Sequence, residues 1–379
     1  MDILGASPLV AEPPEAPKVA VKVRRKGRRK VAMNLSGFSI RRPGEILEME
    51  FKPEDRFLEN GVFSRGQSLT ILGPGGVGKS RLVLQMAVST ILGRDCLGMK
   101  VNAKGLKWLV LQTENSNFRL QADVRALKNW IGEENWKVVD NQMVLHTLEN
   151  QTDSLVSLKN PKVVEKIAGV VKEVKADVVV FDPLAAYAVG SLTNDAGMTA
   201  TCQAITEIVR KGAIDSSLVI LHHTLTGQKG AQSAFGADRA SYGRGSKVLQ
   251  GWTRGQINIS ARSKSSNGLL LMSCGKNSNG PEFDPIGLRL NPLTMISEVD
   301  PEFDLAAWKE ETGLDDATRA KINVTDLAGM VRKKPMKRSA LVTKIVSTGV
   351  CQKATAYTLV KQATGKTIRV NEKGELVAM

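Results

Sequence analysis

The sequence has few residues of the kinds that build disulfide or metal sites. Its four cysteines, Cys96, Cys202, Cys274 and Cys351, are far apart and form no Cys-x-x-Cys pair, which argues against a disulfide framework or a zinc knuckle. Only three histidines are present. No apolar run approaches the roughly 18 residues of a membrane span, and no apolar signal segment opens the sequence. We therefore expect a cytoplasmic protein without a membrane partner.

Positive charge is in excess, and it is concentrated towards the two ends. The formal net charge of the 379 residues is +15. Residues 1–30 hold eight basic and three acidic residues, residues 319–379 hold thirteen and three, and the residues between them are balanced. Such an asymmetry indicates a polyanionic partner, nucleic acid before a membrane surface. Charge that serves only solubility is the alternative.

Residues 1–35 are predicted to form a disordered basic tail. Several prolines precede the basic run 22–30, and dense like charge beside prolines does not pack a core. Contact with nucleic acid phosphates and a targeting signal are both consistent with this tail.

Residues 36–312 alternate short apolar runs with amphipathic segments, which predicts an α/β core. Strands are predicted at Ser68–Leu72, Lys107–Gln112, Ala176–Phe181 and Ser217–Leu221, and helices at Gly78–Leu92, Phe118–Ile131 and Met198–Lys211. This alternation is typical of a parallel sheet covered on both faces. Two later runs, Gln256–Ser260 and Leu269–Cys274, predict an antiparallel extension of that sheet.

Residues 319–379 are predicted to form a separate winged-helix domain. Helices are expected near Val324–Val331, Arg338–Ser347 and Gln352–Gln362, followed by a hairpin that turns at Lys373–Gly374. Lys353 and Tyr357 lie on the helix that would contact DNA. A protein-docking domain, for example one that binds a replication partner, is the alternative, and the local positive charge favours nucleic acid.

One motif identifies a phosphate-binding loop. The residues Gly73, Pro74, Gly75, Gly76, Val77, Gly78, Lys79 and Ser80 fit the pattern G-x-x-x-x-G-K-[ST] without a mismatch. Glycines at these positions let backbone N–H groups surround phosphate oxygens, and Lys79 adds a charge for the β- and γ-phosphates. The motif follows a predicted strand and opens a predicted helix, as its mechanism requires. We predict ATP binding by these residues together with Arg81.

Carboxylates at the ends of two predicted strands complete the expected site. Asp182 closes an apolar run and would hold Mg²⁺ together with the Ser80 hydroxyl. The next residue is Pro183, so the catalytic base must lie elsewhere. Glu114 follows another predicted strand at the edge where ligands collect, and would deprotonate the attacking water. A surface or helix-capping role is the alternative for Glu114.

A histidine pair ends a further predicted strand. His222 and His223 are sequence neighbours, so their side chains point to opposite faces. One of them could contact the γ-phosphate and transmit its loss to the following loop. A buried histidine without such a role is the alternative.

Together these motifs resemble the hexameric replicative helicases of the RecA-like class, most closely the plasmid-encoded RepA type. The resemblance covers roughly residues 55–292. It includes the phosphate loop, the strand ends at Glu114 and Asp182, and the run Val219-Ile-Leu-His-His. It continues through 244–249 and 275–281. The resemblance implies a RecA-like P-loop core, a ring of six subunits with ATP between neighbours, and single-stranded DNA in a central channel.

The resemblance also implies residue roles. Glu114 would be the catalytic base, and His223, or with less support His222, the γ-phosphate sensor. Arg254 would be an arginine finger inserted from the adjacent subunit, and Lys276 a second cation supplied in trans. A surface arginine is the alternative for Arg254.

Two loops would face the channel of the ring. The first is 189–198. The second is 225–245, in which Lys229, Arg239 and Arg244 would bind DNA phosphates. Disorder without a role in DNA binding is the alternative for these loops.

The sequence therefore predicts an ATP-dependent DNA helicase or translocase acting in replication of a plasmid, phage or similar mobile element. Two alternatives remain open. One is a recombination or repair ATPase that acts on DNA without unwinding it. The other is an ATP-switched regulator that binds duplex DNA through the C-terminal domain.

Overall fold

A computed structural model describes residues 34–35, 38–39, 41–150, 156–224, 239–262, 268–312, 324–332, 334–347 and 353–379. The described chain divides into two units, with the boundary between Phe51 and Lys52. In the first unit, strands β1 (Asn34–Leu35) and β2 (Phe38–Ser39) pair antiparallel and precede helix α1 (Pro43–Leu47). Glu45 accepts a hydrogen bond from the backbone N–H of Arg42 and so caps this short helix.

A nine-stranded sheet forms the framework of the second unit. Its strands are β3 (Ser68–Gly73), β4 (Trp108–Gln112), β5 (Met143–Leu145), β6 (Val178–Asp182), β7 (Ser217–His223), β8 (Gly255–Ala261), β9 (Leu269–Asn277), β10 (Ile286–Leu290) and β11 (Ser297–Val299). The spatial order is β11-β10-β9-β8-β3-β7-β6-β4-β5. Strands β8 to β5 in this order run parallel, whereas β9, β10 and β11 extend the sheet antiparallel. The parallel core and its antiparallel extension agree with the prediction.

Helices connect the parallel strands and cover both faces of the sheet, and one further helix follows β11. They are α2 (Lys79–Leu92), α3 (Asn117–Ile131), α4 (Glu133–Gln142), α5 (Pro161–Val174), α6 (Asp195–Gly212), α7 (Val248–Trp252) and α8 (Leu305–Thr312). Helix α6 begins at Asp195, earlier than predicted, because the Asn194 side chain accepts a hydrogen bond from the backbone N–H of Gly197 and caps the helix. The first predicted DNA loop is correspondingly shorter.

Alternation along β6 explains its continuous apolar sequence. Val178 and Val180 pack into the core on the side of α2, whereas Val179 and Phe181 pack into the core on the side of α5 and α6. Both faces of this strand are therefore removed from water, as expected for a central parallel strand. The burial fixes the position of the strand end, where Asp182 lies.

A side chain forms hydrogen bonds with the backbone of the outer strand β11. The Gln85 side chain donates to the backbone carbonyl of Ser297 at 2.9 Å and accepts from the backbone N–H of Ser297 at 2.9 Å. Gln85 belongs to α2, so the helix that follows the phosphate loop is tied to the sheet edge.

Residues 324–379 contain three helices and a two-stranded hairpin. The elements are α9 (Val324–Arg332), α10 (Arg338–Ser347), α11 (Lys353–Ala363), β12 (Ile368–Val370) and β13 (Leu376–Ala378), with β12 and β13 antiparallel. Their apolar residues form one cluster that includes Leu327, Leu341, Val360 and Leu376. The order of elements is the predicted one. No helix in the described part of the chain is long and apolar enough to cross a membrane.

Candidate active site

The phosphate loop connects β3 to α2 with a backbone that requires glycine. Gly76 and Gly78 adopt φ values of 75° and 91°, in the left-handed region that favours glycine. At Gly73, an added Cβ would lie 2.8 Å from the Ile259 carbonyl oxygen of β8. No atom lies within 4 Å of the Cβ positions of Gly75, Gly76 and Gly78. The loop is thus closed on the sheet side and open on the side where phosphate oxygens would enter.

Lys79 lies at the centre of the site and is 6% exposed. Its ammonium donates to the carbonyl oxygens of Gly73 at 2.9 Å and Pro74 at 2.8 Å, and its Nζ lies 3.4 Å from His223 Nδ1. Burial lowers the pKa of Lys79, and the nearby carboxylates of Asp182 and Glu114 oppose that effect. Phosphate oxygens are stronger acceptors than these neutral groups. The Lys79 ammonium would therefore exchange its present contacts for contacts with phosphate oxygens.

Asp182 ends β6 and is 5% exposed. Burial raises its pKa to about 6, a hydrogen bond with Ser80 lowers it, the charge of Glu114 raises it, and the charge of Lys79 lowers it. A buried carboxylate in contact with a hydroxyl is an oxygen donor pair that suits Mg²⁺. Ser80 and Asp182 therefore fit the predicted metal, and the unfavourable burial of the carboxylate is a reason for a cation to bind there.

Glu114 lies in a turn whose neighbouring residues make three hydrogen bonds. Gln112 accepts from the backbone N–H of Asn115 at 2.8 Å and donates to the carbonyl of His146 at 2.9 Å. The backbone N–H of Thr113 donates to the Asp182 carbonyl oxygen at 3.0 Å. The Glu114 side chain itself remains 59% exposed, as a base that must reach a water molecule requires.

His223 lies between Lys79 and Glu114. Its Nε2 atom lies 3.8 Å from Glu114 Oε1, on the opposite side of the ring from the contact with Lys79. An ammonium can only donate, so Nδ1 accepts and the ring proton belongs on Nε2, directed towards the carboxylate. Asp182 belongs to the same cluster of side chains, because its carboxylate interacts electrostatically with Lys79 and Glu114. The structure thus brings four predicted site residues together.

His222 points away from this site, as the alternation along β7 predicts. Its ring is 4% exposed, and its Nε2 lies 2.7 Å from the Arg244 carbonyl oxygen. Burial lowers the pKa of His222, which keeps the ring neutral. Of the two histidines, His223 is the one in position to contact a γ-phosphate.

Arg81 follows the phosphate loop but its side chain has another partner. Its Nε donates to Asp123 of α3 at 2.8 Å, and Arg119 contacts the same carboxylate at 2.9 Å. Asp123 is buried. The guanidinium of Arg81 thus links α2 to α3. Sequence reasoning missed Asp123 and Gln112, because only the fold reveals that Asp123 pairs with two arginines and that Gln112 fixes the turn of Glu114.

Arg254 and Lys276 lie at the other end of the sheet from the phosphate loop. The backbone N–H of Arg254 donates to Ser68, the first residue of β3, whereas the loop begins at Gly73, about 16 Å further along the strand. Lys276 donates to the carbonyl oxygens of Gln250 and Thr253, each at 2.7 Å, at the end of α7. Neither cation can reach the phosphate loop of its own chain.

The predicted DNA-binding residues are only partly within the described chain. Lys229 lies outside it, and for Arg239 only the backbone is described. Arg244 is exposed, and its backbone N–H donates to the His223 carbonyl oxygen at 3.0 Å, so the second loop returns directly to the end of β7. On α11, Tyr357 is 43% exposed, while the Lys353 side chain is outside the described residues.

Comparison with known proteins gives a family match over part of the chain. Residues 44–229, just under half of the sequence, match the family model of an AAA domain. The match includes the phosphate loop, Glu114 and Asp182, and it supports the predicted P-loop ATPase. None of the curated proteins compared with the chain matches it.

Two solved structures are similar to the chain. The crystal structure of the RadB recombinase is 16% identical, covering 62% of this chain and 91% of its own, with a TM-score of 0.41. A KaiC-like protein from the hyperthermophilic archaeon Pyrococcus horikoshii OT3 is 12% identical, covering 65% and 94%, with a TM-score of 0.42. From residue 44 to residue 229, then, the chain is similar to AAA-domain proteins, and its candidate active site lies mostly within that segment.

Proposed function

We propose that this protein hydrolyses ATP and uses the reaction to move along or unwind DNA, as a helicase or translocase in the replication of a mobile element. One observation carries the ATPase part of the proposal. Lys79, Asp182, Glu114 and His223 come from four different elements and converge at the carboxyl ends of the parallel strands, beside an open glycine loop.

The roles of these residues follow from their charges and positions. The loop N–H groups and Lys79 would bind the β- and γ-phosphates, and the N-terminus of α2 adds to their positive potential. Glu114 would take a proton from water as the water oxygen attacks the γ-phosphorus and the bond to the β-phosphate oxygen breaks, giving ADP and phosphate. Mg²⁺ held by Ser80 and Asp182 would supply further positive charge. His223 would hold the side chain of Glu114.

Arg254 and Lys276 support assembly into a ring. Each is too far from its own phosphate loop, yet both lie together at the opposite end of the sheet. Burial, and after it the charge of Arg254, lowers the pKa of Lys276. In a head-to-tail assembly that end would face the phosphate loop of the next subunit. Cations arriving from a neighbour would stabilise the developing charge on the γ-phosphate. A closed ring would meet this requirement, and we propose six subunits because the sequence resembles hexameric helicases.

Single-stranded DNA is the proposed track. Arg244 is exposed and attached directly to the strand end that bears His223, and Lys229 and Arg239 belong to the same loop. Contacts from these cations to phosphates would carry no base identity, which suits a motor that must pass over any sequence.

The charged ends of the chain complete the proposal. We divide the chain into a basic tail at 1–35, a RecA-like core at 36–312 and a winged-helix domain at 319–379. Lys353 and Tyr357 of α11 would contact duplex DNA or a replication partner. Replacing both residues with alanine should weaken duplex binding and reduce its salt dependence.

ATP hydrolysis measured with and without single-stranded DNA, alongside fork unwinding at the same protein concentration, tests the proposal. Strong stimulation with unwinding supports a helicase. Stimulation without unwinding would instead indicate the recombination or repair ATPase. Slow hydrolysis that ignores single strands, with sequence-specific duplex binding, would indicate the ATP-switched regulator and contradict the motor.

A further inference from the structure

The backbone of Arg244 is hydrogen-bonded to both of the histidines that end β7. The backbone N–H of Arg244 donates to the His223 carbonyl oxygen at 3.0 Å, and the Arg244 carbonyl oxygen lies 2.7 Å from His222 Nε2. Beside this contact, Thr224 and Gly243 form an antiparallel bridge. The return of the second loop is therefore fastened to the strand end by both backbone and side chain.

His222 has one role open to it in this position. A carbonyl oxygen can only accept, so the ring proton is on Nε2, and the other nitrogen, Nδ1, is buried and has no hydrogen-bond partner among the described residues. An unpaired buried nitrogen disfavours folding, and an apolar ring would avoid that cost. The hydrogen bond to Arg244 is the interaction that a histidine provides here and a phenylalanine would not.

The residues after Arg244 carry the connection to the first predicted DNA loop. The backbone N–H of Ser246 donates to the Leu192 carbonyl oxygen at 3.1 Å, and its hydroxyl donates to Asp195 at 2.5 Å. Between them, Gly245 has φ +99°, and an added Cβ would lie 2.3 Å from the Leu192 oxygen. The segment 244–246 is thus bonded to the end of β7 on one side and to residues 192–195 on the other.

We propose that His222 is a positioning residue that couples the nucleotide site to both predicted DNA loops. The inference rests on the proposed DNA-dependent hydrolysis of ATP and adds to it the group that transmits the signal. His223, adjacent to His222, contacts Lys79 and faces Glu114. A shift of this strand end would move the Arg244 peptide, and through Gly245 and Ser246 it would move residues 192–195. Conversely, DNA bound to the loops would act on His223 along the same contacts.

Two variants of His222 separate coupling from packing. His222→Phe keeps a ring of similar size and removes the donor, whereas His222→Gln places an amide N–H near the position of Nε2. We expect His222→Phe to retain the basal ATPase rate and the KM for ATP. Its stimulation by single-stranded DNA should be about fivefold smaller than that of the wild type, which is the factor expected for one buried hydrogen bond. His222→Gln should restore most of the stimulation.

A backbone variant tests the second half of the connection. Gly245→Ala would force the Leu192 carbonyl oxygen away, and its matched control is Gly251→Ala, an exposed position in α7 where no atom lies within 4 Å of an added Cβ. We expect the first variant to lose stimulation by DNA and the control to keep it. Thermal unfolding midpoints of all four variants show which of them are folded.

The outcomes distinguish this inference from the proposed function. If single-stranded DNA does not stimulate the wild-type protein, the proposed function is wrong and the inference is wrong with it. If the wild type responds and both His222→Phe and Gly245→Ala respond equally, only the coupling role is overturned. Loss of stimulation in folded His222→Phe with recovery in His222→Gln supports the role of the hydrogen bond.

Discussion

Nζ of Lys79 lies 3.4 Å from Nδ1 of His223, so the lysine of the phosphate loop and the histidine of a neighbouring strand form one unit. The contact orients the imidazole so that its other nitrogen faces Glu114. A change at any of the three side chains therefore alters the position of the other two. This mutual dependence is the basis of the first two predictions.

Replacing His223 should affect catalysis more than binding. His223→Ala removes both contacts, and we expect kcat for ATP to fall about 100-fold with little change in KM. In His223→Asn the amide oxygen can still accept from Lys79, so its kcat should lie between those of His223→Ala and the wild type. Steady-state ATPase assays measure both constants. A His223→Ala variant with wild-type kcat would exclude this histidine from the mechanism.

Glu114→Gln should abolish turnover while sparing nucleotide binding. The amide keeps the size of the side chain and one acceptor oxygen but cannot accept the proton of water, so a loss of about 10²–10⁴ in rate is expected. Binding of a fluorescent ATP analogue should be unchanged. The matched control is Glu134→Gln on the exposed face of α4, which should hydrolyse ATP normally. Turnover that survives in Glu114→Gln would assign the base elsewhere.

Asp182 should make the nucleotide-free protein less stable as the pH rises. Its folded-state pKa, about 6, lies above the ordinary value of 3.8, so the folded state binds the proton more tightly than the unfolded chain. The contribution to stability is full below pH 3.8 and is lost as the pH rises through 6. Asp182→Asn should therefore raise the free energy of unfolding by about 3 kcal/mol at pH 7.5 and by about 1 kcal/mol at pH 4.5.

Urea unfolding of the Asp182→Asn variant at both pH values checks this prediction. Asp140→Asn, at an exposed position of α4, serves as the control and should not change stability at either pH. Equal effects of Asp182→Asn at pH 4.5 and pH 7.5 would contradict the assignment of the shift to burial.

Asp123 should stabilise the fold through its two arginines. Its carboxylate is buried and contacts Arg81 at 2.8 Å and Arg119 at 2.9 Å, so Asp123→Ala leaves the half-buried Arg81 without its partner. We expect the free energy of unfolding to fall by about 3 kcal/mol. The exposed pair of Lys137 and Glu134, also 2.9 Å apart, is the comparison, and Glu134→Ala should cost at most about 0.5 kcal/mol. Similar losses at the two sites would contradict a special role for the buried pair.

Mixing two inactive variants tests catalysis across a subunit interface. Arg254→Ala keeps an intact phosphate site, and Glu114→Gln keeps an intact arginine. In a random mixture about a quarter of the interfaces combine the two intact halves, so activity should reappear on mixing. If Arg254 acts only within its own chain, the mixture stays inactive.

The residues that could be predicted from the sequence are those whose role depends on local pattern. The phosphate loop requires glycines at fixed spacing. The β6 run is apolar because both of its faces are buried, so the sequence indicated that this strand ends at Asp182. The presence of β6 and β7 in a parallel sheet follows from the same kind of pattern, whereas their order in the sheet was not predicted.

Other features depend on contacts between distant segments and carried no sequence signal. Helix α4 and strands β5, β10 and β11 were not predicted individually, since their apolar residues are too few or too mixed for a clear period. Helix α5 was also not predicted, although its buried residues Val164, Ile167 and Val171 recur at helical spacing. Asp123 looks like any polar residue of an amphipathic helix until α2 brings Arg81 against it. The bond between His222 and Arg244 spans 22 residues and is likewise a product of the fold.

The pairing of Gln85 with Ser297 has a consequence for how copies of the chain can meet. The amide of Gln85 uses the donor and the acceptor that Ser297 would otherwise present to a further strand, so it acts as a one-residue strand. A sheet edge occupied in this way does not readily recruit another chain. Sheet-to-sheet fusion and edge-driven aggregation are therefore disfavoured at β11, so an association of copies at this edge would have to use side-chain surfaces and not backbone pairing.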